Sequence, residues 1–174
     1  MRLLYQLKDH QYHDNGFNHT RSICRAVLVN QENKICLIHV VGDDIFGHRD
    51  YYETPGGGQE NHETLISTIK RELLEEVGAS INKIIEIGRV IDYYNLIYRE
   101  NNNHYYLCFL DKLDTPQGGT NLEQELFQEL VWVDIDEGIR LMKTSEGKIA
   151  ELVKAREIPI LEKTKKLLKK IDIL

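Results

Sequence analysis

A glycine turn followed by a helix rich in carboxylates is the part of this chain best equipped for chemistry. Three consecutive glycines, Gly56–Gly58, precede a segment that carries Glu72, Glu75 and Glu76. At about 100° per residue the three carboxylates fall on one side of a helix, where like charges three and four residues apart repel one another. Clustered oxygen ligands suit Mg²⁺ or Mn²⁺ rather than zinc. The pattern predicts a divalent-metal site beside a turn whose glycines let the backbone approach a ligand.

The helix that positions these carboxylates is predicted to begin with Asn61 as N-cap and to end at Gly78. Its apolar residues form a neighbouring arc that faces a core: Leu65, Ile66, Ile69, Leu73 and Val77. Glu76 falls at the margin of that arc, where burying a carboxylate without a partner is unfavourable. A solvated acidic face is the alternative, which the glycine turn argues against. Arg71 is expected to orient Glu63 rather than to neutralise the cluster.

The spacing of these residues resembles the Nudix box of the MutT-like hydrolases. The matching positions are Gly57, Glu63 after five intervening residues, and the run 71–79 (RELLEEVGA) after seven more. Only Ala79 departs from the signature, at a position where a larger aliphatic residue is usual. The resemblance implies an α+β fold of the α/β/α sandwich type, in which a mixed β-sheet is flanked by helices.

The resemblance also implies an activity, which is metal-dependent hydrolysis of the pyrophosphate bond in a nucleoside diphosphate linked to another moiety. The implied cofactor is Mg²⁺, with Mn²⁺ as an alternative. The expected metal ligands are Glu72, Glu75, Glu76 and the backbone carbonyl of Gly57, or that of Gly58.

Catalytic roles are implied by the same resemblance. Glu76 or Glu75 would act as the general base inside the box, and Arg71 would hold Glu63 close to the metal. Glu125, which precedes the last predicted strand, is the first candidate for a base or metal ligand outside the box, and Glu123 is the second.

Two other functional classes stay open on the sequence. One is a nucleotide-binding or sensing module without turnover, although such modules commonly lose box carboxylates that this chain keeps. The other is an isomerase on the same scaffold, for which Cys108 would be the candidate thiol.

Three residues outside the acidic helix are candidate substrate contacts. Arg21 and Arg25 lie four residues apart on a predicted strand and therefore share one face. They are candidate phosphate contacts, with solvated strand-end arginines as the equal alternative. Tyr52, on the extended approach to the glycine turn, is the aromatic candidate.

The remaining elements are predicted from β-rich runs and turn residues. Two hairpins are expected. The first pairs strand 21–29 with strand 34–41 and is followed by a polar loop over 42–50. The second pairs strand 84–90 with strand 104–110, with a turn over 100–103 before the latter strand. A last strand covers 130–133. Helices come after it, with a break expected near Pro159. The basic C-terminal segment is expected to pack on the domain, with a membrane-surface helix as the alternative.

Length and composition indicate one domain over 1–174, with the box at 57–79. Residues 1–20 would form an N-terminal arm or edge strand, and 136–174 the C-terminal helices. The net charge of −6 argues against a stable nucleic-acid partner, and the expected partner is the small nucleotide substrate.

No apolar run reaches the roughly 18 residues of a membrane span. Cys24, Cys36 and Cys108 show no metal or disulfide spacing. We expect a cytoplasmic location and, from the resemblance, a homodimer as an alternative to the monomer.

Overall fold

The computed structural model describes residues 1–115 and 127–171 of the chain. The strands are β1 (Leu3–Leu7), β2 (His19–Val29), β3 (Ile35–Asp44), β4 (Gly47–Glu53), β5 (Gly56–Gly58), β6 (Ala79–Tyr94), β7 (Arg99–Leu113) and β8 (Phe127–Val133). The α-helices are α1 (Leu65–Glu72), α2 (Ile135–Thr144) and α3 (Lys148–Lys170). A π-helical turn covers Leu73–Val77 and a 3₁₀ turn covers Asn95–Ile97.

Within these two ranges, the eight strands form one mixed sheet in the order β1-β6-β7-β2-β3-β4. Short strand β5 pairs with β2, and β8 pairs with β3. β2 lies parallel to β7, whereas β6 and β7 form an antiparallel pair. The predicted α+β fold, with a mixed sheet between helices, is confirmed.

Both faces of the central strand β2 are buried, and this explains its imperfect alternation of polar and apolar residues. Cys24, Ala26 and Leu28 pack in one cluster with Ile69 and Leu73 of the acidic segment. Their neighbours in sequence point to the opposite face, which packs against α2 and α3; these neighbours include Val27 and Val29. The acidic helix and the two C-terminal helices therefore cover opposite faces of the sheet.

Helix α1 begins later than the sequence predicted. Thr64, not Asn61, is the N-cap: its Oγ1 accepts from Ser67 N at 3.1 Å, and Ser67 Oγ accepts from Thr64 N at 2.8 Å. Ser67 thus completes a capping box in the place usually held by Glu or Gln. This Thr64–Ser67 pair is the sequence signal for the helix start that the prediction overlooked. Ile66 is 41% exposed and does not face the core as predicted. The helical segment ends as predicted at Gly78, which is left-handed with φ 72°.

The predicted turn over 100–103 is wrong. The chain turns at Asn95–Ile97, and β6 and β7 pair past it from Tyr94 with Arg99 onward, with the first register shift only between Gly88 and Glu86. Polar residues fit inside this strand pair because their side chains bind one another, as Asn101 does in donating to Asp92 at 2.8 Å. The polar segment 42–50 is likewise a β3–β4 hairpin rather than a loop.

The predicted break at Pro159 is also wrong, since α3 runs through this residue from Lys148 to Lys170. Packing holds the two halves together, because Leu152 and Val153 before the proline and Ile160 and Leu161 after it are all buried. Tertiary burial therefore outweighs the loss of one helical hydrogen bond. In the described part of the chain, no helix is long and apolar enough to cross a membrane.

Candidate active site

The glycine strand β5 lies directly against the acidic segment. The N–H of Gly56 donates to Glu76 Oε2 at 2.7 Å. A Cβ on Gly57 would lie 2.5 Å from Glu72 Oε2, so the carboxylate of Glu72 occupies the space that a side chain would need. Gly56 has a φ of 139°, and its Cα faces the backbone of Cys24 on β2. The glycines are therefore needed for two close approaches, one to the sheet and one to the carboxylates.

Arg71 connects the carboxylates of this segment. Its Nη1 donates to Glu72 Oε1 at 2.8 Å and to Glu75 Oε2 at 3.0 Å. Its Nε donates to Glu63 Oε1 at 2.8 Å, and its Nη2 donates both to Glu63 Oε2 and to the carbonyl of Gly58, each at 3.0 Å. The predicted contact with Glu63 is present, but the same guanidinium also contacts the cluster. The expectation that Arg71 does not neutralise the cluster was wrong, because its Nη1 bonds to the carboxylates of both Glu72 and Glu75.

The π-helical turn changes which way the last carboxylates point. Glu72 ends α1 and is 7% exposed, whereas Glu75 and Glu76 lie in the π-helical stretch. The wider π-helical turn rotates the side chains within and beyond it, relative to the 100° spacing assumed from sequence. Glu75 stays on the Arg71 side, and Glu76 reaches the Gly56 N–H and lines the adjoining cleft.

The donor set fits a hard divalent cation by its chemistry. Glu72, Glu75 and Glu76 offer carboxylate oxygens, and Gly57 lies against the first of them, whereas the carbonyl of Gly58 accepts from Arg71. Across the described residues, no three His, Cys, Asp or Glu side chains are already arranged to hold a metal ion. In this arrangement Arg71 occupies one oxygen each of Glu72 and Glu75. A metal bound here would therefore share the cluster with Arg71.

Substituting Gly57 tests the close approach to Glu72. Gly57→Val is expected to reduce activity by about a hundredfold, because the new side chain must push the Glu72 carboxylate aside and misplaced catalytic groups cost about that much. The melting temperature should change little, since the displaced group is the end of a flexible side chain. Steady-state kinetics and thermal unfolding of Gly57→Ala and Gly57→Val would check this. A normal rate in the valine variant would show that the space beside Gly57 is not needed.

The Arg71 contact lowers the pKa of the Glu63 carboxyl group. Its carboxylate also accepts from Thr68 Oγ1 and from Glu60 N, at 2.9 Å and 3.0 Å. The Arg71 hydrogen bonds are the main cause that lowers the pKa of Glu63 from 4.5 to about 2, and the Glu60 backbone contributes next. Glu63 is therefore negatively charged at neutral pH.

A depressed pKa stabilises the folded state above the unfolded-state pKa, and the gain is lost as pH falls through the folded-state pKa. Glu63→Gln should therefore unfold more easily than the wild type at pH 7. The difference should shrink between about pH 4.5 and pH 2 and vanish below that range. Urea unfolding across this range would measure it, with the exposed Glu60→Gln as the matched control. A difference that stays constant down to pH 2 would contradict the assignment.

A cleft of 530 Å³ opens beside the glycine strand and is rich in arginine. Arg21 and Arg25 both line it, as expected for residues on one face of β2. They differ in their partners. Arg25 is buried and bonds to Glu53 Oε2 at 2.9 Å and to the Thr54 carbonyl at 3.1 Å. Arg21 is exposed, and its guanidinium lies against Gly58.

Tyr52 is placed away from this cleft. Its ring stacks on His39 with centroids 4.2 Å apart, and it packs on the core cluster that includes α2 and α3. Its neighbour Tyr51 lines the cleft, because successive residues of β4 point to opposite faces. Tyr51 therefore replaces Tyr52 as the aromatic candidate. The error was one of strand register, which a single residue reverses.

Several other cleft residues come from segments whose secondary structure was predicted wrongly. Arg49 comes from the segment predicted as a loop, and Arg99 and Asn101 come from the segment predicted around a turn. Recognising the long β6–β7 pair would have placed Arg99 and Asn101 on one face of a strand, two residues apart.

The remaining candidates have different outcomes. Glu125 and Glu123 lie outside the described residues. Cys108 is fully buried, and burial raises the pKa of its thiol to about 12. A thiol in that state is not a nucleophile at neutral pH, which counts against the isomerase alternative.

Comparisons with known proteins agree with the fold and the acidic segment. A family model described as the NUDIX domain matches residues 19–154. A curated relative, the 8-oxo-dGTP diphosphatase of Buchnera aphidicola subsp. Acyrthosiphon pisum (strain APS), is 39% identical over 64 residues. That match covers 37% of this chain and 48% of the relative, so the chain spans about half the length of the curated relative it matches.

Solved structures show the same fold. A solved structure described as an ADP compounds hydrolase has a TM-score of 0.63 at 16% identity. The match covers 92% of this chain and 78% of the hydrolase chain. A NUDIX hydrolase from Nitrosomonas europaea has a TM-score of 0.58 at 18% identity, covering 76% of this chain and 84% of its own. Identities this low speak for the fold alone, whereas the family model covers most of the chain. The protein therefore belongs to the NUDIX domain family.

Proposed function

We propose that this protein is a metal-dependent hydrolase that cleaves the pyrophosphate bond of a nucleoside diphosphate linked to another moiety. The observation that carries the proposal is the convergence of Glu72 and Glu76 on the glycine strand, at the end of a cleft lined with arginines. Acidic oxygens suit a divalent cation, and arginines suit phosphate oxygens. A diphosphate bound along the cleft would meet both.

The carboxylates of Glu72, Glu75 and Glu76, with the Gly57 carbonyl, would hold Mg²⁺ or Mn²⁺. The cation would supply neutralisation of the diphosphate charge and activation of the attacking water. Arg71 and Glu63 would fix the orientation of the acidic groups from behind, as groups around a metal's ligands commonly do.

The remaining chemistry falls to side chains along the cleft. Arg21 would bind a phosphate oxygen beside Gly58, whereas Arg25, already paired with Glu53, would support the cleft floor. Glu76 is the preferred general base among the described carboxylates, because it lines the cleft and Glu75 is bonded to Arg71. The base would accept the proton of the attacking water as the bond to phosphorus forms.

Phosphate release across a panel of nucleotides tests the proposal. The panel includes nucleoside diphosphate sugars, dinucleotides and nucleoside triphosphates, and the names of two similar proteins add 8-oxo-dGTP and ADP compounds to it. Reactions with Mg²⁺, with Mn²⁺ and with EDTA are monitored after coupled phosphatase treatment. Metal-dependent turnover of any member is expected. Binding of nucleotides without turnover by the whole panel would favour a sensing module instead.

A further inference from the structure

The cations of the cleft are not equally neutralised. Arg25 pairs with Glu53, and Arg49 pairs with Asp44. Among residues 1–115 and 127–171, Arg21 and Arg99 pair with no carboxylate, and the Nε of Arg99 is buried without a hydrogen-bond partner. Two guanidinium groups in one cleft thus lack a counter-ion from the described chain.

Arg99 is held in place despite this. Its guanidinium lies over the ring of Tyr94, 5.2 Å from the centroid. Burial is the main cause that lowers the pKa of Arg99; the nearby guanidinium groups of Arg21 and Arg25 act in the same direction, whereas Tyr94 and Asp92 oppose it. The charge is therefore partly desolvated and repelled by its neighbours, and an anion placed beside it would relieve both effects.

Asn101 adds a hydrogen-bond acceptor to the same patch. It is 1% exposed, and its Oδ1 has no hydrogen-bond partner in the described part of the protein. Its Nδ2 donates to Asp92 Oδ1 at 2.8 Å, and Asp92 Oδ2 accepts from Arg156 at 2.9 Å. Because an ionised carboxylate only accepts, the amide nitrogen must face Asp92. The unsatisfied carbonyl oxygen is thus fixed as an acceptor at the cleft.

These three side chains are neighbours. Arg99 and Asn101 are two residues apart on β7 and line the same cleft, and Arg21 is opposite Asn101 in the parallel pairing with β2. Adjacent strands lie about 4.8 Å apart, and alternate residues about 6.7 Å apart. Arg21 also lies against Gly58, so it connects this patch with the acidic end of the cleft.

We propose that Arg99, Asn101 and Arg21 form a subsite for an anionic sugar, meaning a phosphate or carboxylate with a hydroxyl group beside it. The guanidinium groups bind the anion, and Asn101 Oδ1 accepts from the hydroxyl. A third phosphate in line with the diphosphate fits less well, because its oxygens are hydrogen-bond acceptors and would face the Asn101 oxygen, which is also an acceptor. The proposal rests on the proposed function and names the part of the substrate farther from the metal.

Ligand pairs that differ by one anionic group test the subsite. The pairs are ADP-ribose with its 2′-phosphate, UDP-glucose with UDP-glucuronate, and ADP with ATP. Dissociation constants are measured by calorimetry in EDTA, so that binding is separated from hydrolysis. The wild type is expected to bind the phosphorylated ribose or the uronate at least about tenfold more tightly than its partner, the scale of one charge-assisted hydrogen bond.

Variants assign that preference to its residues. Arg99→Gln is expected to abolish the preference for the anionic sugar, and Arg99→Lys to keep part of it. Arg89→Gln is the matched control and should keep the whole preference, because the Arg89 side chain bonds to Asn102 instead. The exposed Arg21→Gln repeats the test should Arg99→Gln fold poorly. Equal affinities within both sugar pairs, a preference confined to ATP, or a preference that survives in Arg99→Gln and Arg21→Gln would overturn the proposal. A sugar preference without turnover of any panel member would refute the hydrolase and leave the subsite standing.

Discussion

Glu76→Gln is expected to lower turnover by at least about a thousandfold while the protein stays folded. The amide keeps the size of the side chain, and its oxygen still accepts from the Gly56 N–H. What is lost is the negative charge, which both proposed roles of Glu76 require. A general base contributes about a hundredfold to ten-thousandfold, and loss of a cation ligand adds to this.

The measurement is kcat and KM at several Mg²⁺ concentrations, on the best substrate of the panel, with thermal unfolding of each variant. Glu162→Gln, an identical change on the exposed side of α3, is the matched control and should leave the rate unchanged. Glu75→Gln should also reduce the rate. It should do so with an altered Mg²⁺ dependence, because Glu75 shares Arg71 with Glu72. Rates within tenfold of the wild type in both box variants would refute the metal and base assignments.

Most of the acidic helix was predictable from sequence because its information is local, although its N-cap is Thr64 rather than the predicted Asn61. Helix-forming residues, the Gly78 stop and the carboxylate spacing all lie within one segment, and each carries a signal at short range. The π-helical turn over Leu73–Val77 was not predictable, since no residue type marks it and the 100° spacing assumes a regular helix. It matters because it decides that Glu76 lines the cleft.

The cleft was much less predictable, because its residues come together through strand pairing over long distances. Asn101 looks like a turn residue by type, yet it lies inside the sheet, where its amide nitrogen donates to Asp92 of the neighbouring strand. Tyr51 and Tyr52 are equivalent by composition, and only the register of β4 decides which one lines the cleft. Pairing of this kind depends on the whole sheet, so local propensity assigns it poorly.

The buried charges beneath the cleft are a third feature that the sequence did not predict. Arg156 and Glu157 of α3 are both 0% exposed. Glu157 accepts from Tyr105 Oη and from Thr54 Oγ1, each at 2.7 Å. Adjacent charged residues on a helix are typical of a solvated face, and only the partners on the sheet make this burial tolerable.

Arg156→Ala is expected to lower the free energy of unfolding by about 3–5 kcal/mol, the usual cost of removing one partner from a buried ion pair. The guanidinium bonds to Asp92 Oδ2 at 2.9 Å, to Glu157 Oε1 at 3.0 Å and to Glu53 Oε2 at 3.2 Å. Without it, the buried carboxylates of Asp92 and Glu157 lose a cation. Urea unfolding would measure the loss. The control is Arg140→Ala, which breaks an exposed pair with Glu137 and should cost much less stability, because solvent screens exposed ion pairs.

Arg156→Met separates charge from packing, because methionine fills much of the same space without a charge. It should be about as destabilising as alanine if the ion pairs are responsible, whereas recovery of stability would assign the effect to volume. A loss below about 1 kcal/mol in both variants would contradict the prediction. Where the variants fold, KM should rise more than kcat falls, because Arg156 contacts the cleft residues Glu53 and Tyr94 but no box carboxylate. Arg156 lies beyond the 19–154 family match, so this chain's own C-terminal helix would help to shape its cleft.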